Sequence, residues 1–346
     1  RCCHCSREST TAFPHFKFWE IKVENNFTPT ISVREMSIQE LFSQISDVTV
    51  VYNDPPWTEL SLVLPTPTQS VSAWNMDLEY LEKTASSMHV SSTVVGVGGG
   101  TALDTAKFLA WKHGATLIQV PTITSVDAGF TDAIGVRVNG HVQYVGKIMP
   151  EMVVLDFPLI RSAPKHLNRA GVGDILSCHT GLFDWKLARE ANREDRWNDS
   201  LYALGNSLLN ELEAAIGDIG AVTESGVRFV ADAYRRIGAA CAIAGHSRFE
   251  EGSEHFLVYA LEHLTGDHYV HGEVVAMGVA AMASVQENDV DRIRNIISPS
   301  RVRANPHDIG ISQQQFFNTL RSLAEYTSRE KLDYSVVDTR DITESE

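Results

Sequence analysis

Short apolar runs separated by helix-period stretches fill the first half of the chain, and helical periodicity alone fills the second. Val48–Tyr52 (VTVVY), Leu60–Leu64 (LSLVL), Val94–Val97 (VVGV), Thr116–Val120 (TLIQV) and Val153–Asp156 (VVLD) have the length and β-branched content of buried strands, and Ile21–Val23 adds a short one. Ser37–Ile45 and Met76–Met88 carry apolar residues at helical spacing, and a further helix follows Gly100 as far as His113. Alternation of this kind predicts a doubly wound parallel sheet. Gly135–Val138 and Val142–Val145 flank Asn139-Gly140-His141, a tight-turn signal that predicts a β-hairpin. From Leu159 to about Thr327 the apolar positions recur at helical spacing, in Leu201–Ala215, Val227–Ala244, His255–Leu264, Val274–Val285 and Gln313–Ala324 among others. The expected plan is an α/β part at 19–158 and an all-α part at 159–346. Residues 1–18 are expected to be a flexible terminus, and the last twenty an acidic surface tail.

Composition narrows the partners. A formal charge of −15 opposes nucleic acid or an anionic membrane as the main partner, because both require a basic face. No run of about 18 apolar residues is present to span a bilayer. Three of the five cysteines crowd into Cys2, Cys3 and Cys5 around His4, a spacing too tight for one tetrahedral ion. Few cysteines elsewhere and no signal-peptide pattern point to the cytoplasm.

The chemistry concentrates in five stretches. Val94–Lys107 (VVGVGGGTALDTAK) ends a strand in Gly98, Gly99 and Gly100 and opens a helix at once, the grammar of a phosphate-binding turn. Asp104 and Lys107 share a face one turn into that helix. Pro121–Gly129 (PTITSVDAG) follows a strand at the sheet edge where ligands bind in open α/β folds. Gly171-Val172-Gly173-Asp174, Glu251-Gly252-Ser253-Glu254-His255 and His271-Gly272-Glu273 each put one potential ligand in the first turn of a helix. Helix dipoles there favour an ionised Asp174 and neutral histidines, the states a divalent metal needs. Two imidazoles and one carboxylate with an open position suit catalytic zinc, and also Fe²⁺ or Ni²⁺. Each of these residues can equally cap its own helix, and His263 and His268 compete for the same role.

In this order, GVGGGTALDTAK, PTITSVDAG, AGVGD, DWKLA (Asp184–Ala188), GSEH and HGE resemble the iron-containing alcohol dehydrogenase superfamily, most nearly its sn-glycerol-1-phosphate and glycerol dehydrogenase branches. The resemblance covers Met76–Gln286. It implies a Rossmann-like domain followed by a helical one, the dehydroquinate synthase-like architecture, and usually a homo-oligomer. It implies that Gly98, Gly99 and Gly100 bind the pyrophosphate of NAD or NADP, with Asp104 and Lys107 in the same element. Thr122 and Ser125 then lie near the nicotinamide and its ribose, and Asp127 near a substrate hydroxyl. Asp174, His255 and His271 become the metal ligands, so that Asp127 and these three form the catalytic set. The implied activity is a metal- and NAD(P)-dependent dehydrogenase of a small polyol or its phosphate, foremost dihydroxyacetone phosphate and sn-glycerol 1-phosphate. Lys147, Arg169 and His268 are the candidate phosphate-binding cations.

Two departures stand out. Ser32–Met36 occupies the place of a glycine-containing turn, and the strands at 48–52 and 60–64 are joined by only 53–59, too short for a parallel crossover helix. A reduced adenosine pocket follows, with Asp54 placed to bond the adenosine ribose and favour NAD over NADP. The alternatives are a cyclase using NAD transiently and an inactive relative.

Overall fold

Eight strands are present among residues 31–342, which the computed structural model describes: β1 Ser32–Glu35, β2 Val48–Tyr52, β3 Gln69–Ser72, β4 Thr93–Gly98, β5 Thr116–Pro121, β6 Ala133–Val138, β7 His141–Lys147 and β8 Met152–Leu155. The expected 21–23 strand, the 1–18 terminus and the 2–5 cysteine cluster lie outside the described residues. Six strands form one sheet in the order β1-β8-β5-β4-β2-β3, every pair parallel. Its strands are apolar on both faces because both are covered. Val50, Val95, Val97 and Val120 pack with Ile38, Leu41, Phe42 and Trp57, whereas Val51, Val94 and Leu117 pack with Leu81, Ala102, Ala106 and Leu109.

The hairpin forms as expected from β6 and β7. Asn139 and Gly140 both take positive φ, 52° and 78°, which matches the twist of the flanking strands.

Three expectations about elements are corrected. LSLVL is not a strand. A short helix at Pro56–Leu60, with proline in its first turn, runs into turns in which Leu64 N–H donates to Leu60 O at 3.0 Å. Trp57, Leu60 and Leu64 are buried while Leu62 is 83% exposed, so the spacing is helical, although the run also fits alternation. The outer strand is instead the polar Gln69–Ser72, and the crossover spans 53–68, long enough for a parallel connection. The crossover helix is thus short but present. Ser32–Glu35 is the sheet's other edge strand, paired with β8, rather than a turn.

Among the described residues, every element after β8 is helical, from Phe157 onward. As far as residue 342, the stretch expected to be a surface tail is anchored. The last helix continues to Glu330, and Val336 and Val337 are buried against Leu257, Leu323 and Tyr326. No described helix is long and apolar enough to cross a membrane.

Candidate metal and dinucleotide centre

Two glycines bring the candidate ligands together. The helix Val172–Leu176 meets the start of His271–Gln286 so closely that a Cβ on Gly173 would lie 2.1 Å from Gly272 O, and one on Gly272 only 1.9 Å from Ala170 O. Only glycine permits this contact. The approach is fixed by Gly272 N–H donating to Ser125 O at 3.1 Å, which also ties the PTITSVDAG loop to the same point. Asp174 Oδ1 consequently sits 3.5 Å from His271 Nε2.

His255 comes from a third helix, Ser253–Thr265. Its first residue is held by Asp184, fully buried in the DWKLA run, whose Oδ2 accepts from Ser253 N–H at 2.8 Å. The other oxygen of Asp184 accepts from Val336 N–H at 2.8 Å, so one carboxylate anchors both the ligand helix and the C-terminal segment. Burial and then the neighbouring Glu254 charge push the Asp184 carboxyl up to about 6. Asp184→Ala leaves two buried N–H donors without an acceptor, for an expected loss of roughly 2–5 kcal/mol in denaturant unfolding, together with weakened metal binding. Unchanged stability in that variant would contradict the anchoring role.

One ligand atom from each of Asp174, His255 and His271 lies within 4.8 Å of the others, the one such cluster among the described residues. His263 stacks instead on His141 at 4.0 Å between ring centroids, and His268 lines the cleft outside the cluster. His255 Nδ1 pairs with Glu254 Oε1 at 2.9 Å, which leaves Nε2 for a metal, the carboxylate–histidine arrangement of many metal sites.

The protonation pattern differs from the expectation of an ionised Asp174 and two neutral histidines. Burial pushes Asp174 upward, only partly offset by the positive charge of His255. Burial opposes charge on His255, but the Glu254 hydrogen bond and the Glu251 charge overcome it and raise the imidazole to about 9. His271 does follow the expectation, lowered to about 4 by burial and the His255 charge. Packed carboxylates outweigh the helix dipole at His255. Asp127, whose N–H donates to Asp174 Oδ2 at 3.1 Å, is raised by burial and by the Asp174 charge.

From this corner a cleft of about 1340 Å³ extends to the glycine turn. Gly99, Gly100, Asp104, Thr122, Ser125 and Asp127 line it, as do Asp174, His255 and His271. Gly98 has φ 152°, and a Cβ there would lie 2.6 Å from Asn53 Oδ1, which accepts the Gly99 N–H. Asp54 lies exposed at the mouth, where its Oδ1 accepts from the Thr58 N–H and hydroxyl. Lys107 is fully buried and committed elsewhere: its ammonium bonds Thr131 Oγ1, Ala133 O and Asp104. It braces the loop beyond Asp127 rather than facing the cleft. Of the three candidate cations, Lys147 and His268 line the cleft, whereas Arg169 bonds Gly220 O and does not. Sequence reasoning missed Asn53, Arg137, Glu250 and Glu251, all cleft-lining. Only Glu251 had a local signal, its place beside the GSEH run.

A family model for iron-containing alcohol dehydrogenases matches residues 65–164, which include the glycine turn and PTITSVDAG. The glycerol-1-phosphate dehydrogenase [NAD(P)+] of Hyperthermus butylicus is 31% identical over 253 residues, 72% of this chain and 71% of that one. The chain belongs to the iron-containing alcohol dehydrogenase family. The same-named enzyme of Thermoplasma volcanium is 32% identical over 66% of this chain, and the match spans 64% of that relative's length. In three dimensions this family member resembles a probable glycerol dehydrogenase of Sinorhizobium meliloti (TM-score 0.71, 18% identity, 90% of this chain and 92% of that one). It also resembles the glycerol dehydrogenase of Schizosaccharomyces pombe (TM-score 0.64, 19% identity, 88% and 83%). The shared fold is the two-part architecture of this family, a parallel sheet followed by helices.

Proposed function

We propose that this chain is a metal-dependent, NAD(P)-linked dehydrogenase of a small polyol or polyol phosphate, foremost interconverting dihydroxyacetone phosphate and sn-glycerol 1-phosphate. One observation carries the reading: two imidazoles and a carboxylate converge in a cleft whose far end is a glycine-rich turn at a helix start. The relatives named glycerol-1-phosphate dehydrogenase support the substrate. The reading divides the chain near residue 158 into a dinucleotide part and a metal part. A reducing cytoplasm fits the free thiols of Cys178 and Cys241, and a homo-oligomer fits the family resemblance.

The residues fit a divalent ion. Asp174 Oδ1 is buried without a hydrogen-bond partner and sits beside His271, as an oxygen meant for a cation would. Asp174, His255 Nε2 and His271 would hold the ion, with zinc foremost and iron or nickel suited. Bound there, the ion supplies Lewis acidity to the substrate oxygen, while the dinucleotide carries the hydride. Glu254 fixes the His255 ring. Asp127, whose carboxyl is raised well above the usual range, is placed to hold a proton near a substrate hydroxyl. Gly98–Gly100 and the first turn of the following helix would receive the pyrophosphate, with Thr122 and Ser125 nearer the nicotinamide. At the mouth, exposed Trp74 and Val63 offer an apolar wall to adenine, and the carboxylates of Asp54 and Glu59 oppose a 2′-phosphate. NAD is therefore favoured over NADP.

Metal analysis of the purified chain, followed by NADH oxidation with dihydroxyacetone phosphate, tests this reading. A cyclase would consume no net NADH, and an inactive relative would bind neither metal nor NADH. Metal uptake should also depend on pH. His255 must lose its proton to coordinate, and against burial the Glu254 hydrogen bond and the Glu251 charge raise its imidazole to about 9, so protons compete with metal below that value. Zinc affinity measured against a chromophoric chelator should therefore rise with pH from 7 towards 9. His271, already neutral above about 4, adds no dependence in that window, whereas Asp174, raised by burial to about 7, adds to its lower end. An affinity that is flat over this range would contradict the assignment of His255.

A further inference from the structure

The carboxylates of Glu251 and Glu262 line the cleft, besides Asp127 and Glu250, whose burial favours the protonated form, and few cations face it, so a phosphorylated substrate needs a cation to receive it. Lys147 lies in the hairpin strand β7, more than half exposed, with Asp132 at 3.4 Å. Arg137 is different. It belongs to strand β6, where the main chain is fixed by its N–H donating to Met76 O at 2.8 Å. Its side chain is only 20% exposed and lines the cleft together with His271. Among the described residues its one side-chain hydrogen bond runs from Nη2 to Glu262 Oε2 at 2.7 Å, and Nε is buried with no acceptor at all.

An arginine has five N–H donors in a planar fork, and burial without acceptors costs free energy that a native protein normally avoids. Nε is closed off from solvent, but the outer N–H groups of the partly exposed fork also outnumber their one acceptor, Glu262, and these point to an acceptor that arrives with a ligand. A phosphate group presents several charged oxygens at the spacing the fork requires, and Arg–phosphate pairs are strong because they are charged on both sides and bidentate. Glu262 carries the complementary role. It holds the guanidinium in place with a single bond while the phosphate is absent, and then competes with the phosphate for it.

We propose that Arg137 is the residue that recognises the phosphate of the substrate and so sets the preference of this site for a phosphorylated over an unphosphorylated polyol. The proposal rests on the dehydrogenase reading for the reaction but not for the binding event. Two experiments separate the failures. In the first, binding of dihydroxyacetone phosphate and of inorganic phosphate is measured by calorimetry on the full, metal-loaded chain and on Arg137→Met. Affinity for both should fall about ten- to a hundredfold, the worth of a lost charge-assisted pair. Arg137→Lys should restore part of the loss. Equal binding by wild type and Arg137→Met, or no binding of either probe to wild type, overturns the proposal. Loss of binding in the variant supports it even if no NADH is oxidised, an outcome that removes the dehydrogenase reading alone.

In the second experiment, NADH oxidation is compared for dihydroxyacetone phosphate and dihydroxyacetone. The ratio of their kcat/KM values should fall by a similar factor in Arg137→Met, mainly through KM for the phosphorylated substrate. A variant that lowers both substrates equally indicates a structural role and overturns the assignment. Should Arg137→Met fail to fold, Glu262→Gln decides. Removing the competing negative charge while keeping Arg137 should tighten inorganic phosphate, and unchanged or weaker phosphate binding counts against the proposal.

Discussion

Asp174→Asn should lower divalent-metal affinity by more than about a hundredfold and remove measurable dehydrogenase turnover, while unfolding stays cooperative. Removing a group that only hydrogen-bonds a metal ligand already costs roughly 10- to 100-fold, and this substitution removes a charge from the candidate ligand itself. Asp174 is buried, its Oδ1 is unpartnered, and its Oδ2 accepts the Asp127 N–H. An amide keeps that contact by presenting its oxygen, so the loop geometry survives. What is lost is the negative charge that two imidazoles cannot replace. Dialysis against a chelator, followed by metal analysis and denaturant unfolding, checks both halves. Full metal retention in Asp174→Asn would remove the carboxylate from the site.

Gly173→Ala should be as damaging by a different route. The new Cβ would lie 2.1 Å from Gly272 O and 2.7 Å from Gly272 C, both backbone atoms that cannot rotate away. The two ligand helices must then part, at an overpacking cost of about 1–3 kcal/mol or more. Separation also moves Asp174 from His271, so metal binding falls with stability. Gly217→Ala is the control, because nothing lies within 4 Å of a Cβ there and the residue is inside the Asp199–Ala221 helix. That substitution should be neutral or stabilising by about 0.5–1 kcal/mol. Unfolding midpoints for the pair separate a close backbone contact from a general intolerance of larger side chains.

The layout of the sheet was legible because buried parallel strands are apolar whichever way they face. Val94, Val95 and Val97 are read as a strand without knowing which helix covers which side. The edges were not legible. Ser32–Glu35 and Gln69–Ser72 are strands through backbone pairing to one neighbour, with little apolar content, whereas LSLVL has strand composition but sits after Pro55-Pro56 and packs at helical spacing. The polar C-terminal stretch hid Val336 and Val337, two buried residues too few to register as a pattern.

In the candidate site, the trio of Asp174, His255 and His271 was legible as three helix starts bearing glycines. The physical reason for those glycines, a backbone-to-backbone crossing, is visible only in three dimensions. Lys107 shows the opposite limit. Its spacing from Asp104 was right, but sequence spacing says nothing about which side of a helix meets the hairpin, and there the ammonium is used up. His255 departs from the neutral state that a helix dipole favours because Glu254 beside it and Glu251 four residues before it, joined by Asp174 from another helix, outweigh that dipole.

The double grip of Asp184 has a consequence for the order of events during synthesis. The carboxylate and Val336 stand 152 residues apart in the chain, so the grip cannot close until nearly all of the helical half has left the ribosome. A nascent chain that already carries Asp174, His255 and His271 can form the Asp184 bond to Ser253 but not the one to Val336, so the second oxygen of a buried carboxylate waits for the last stretch of the chain.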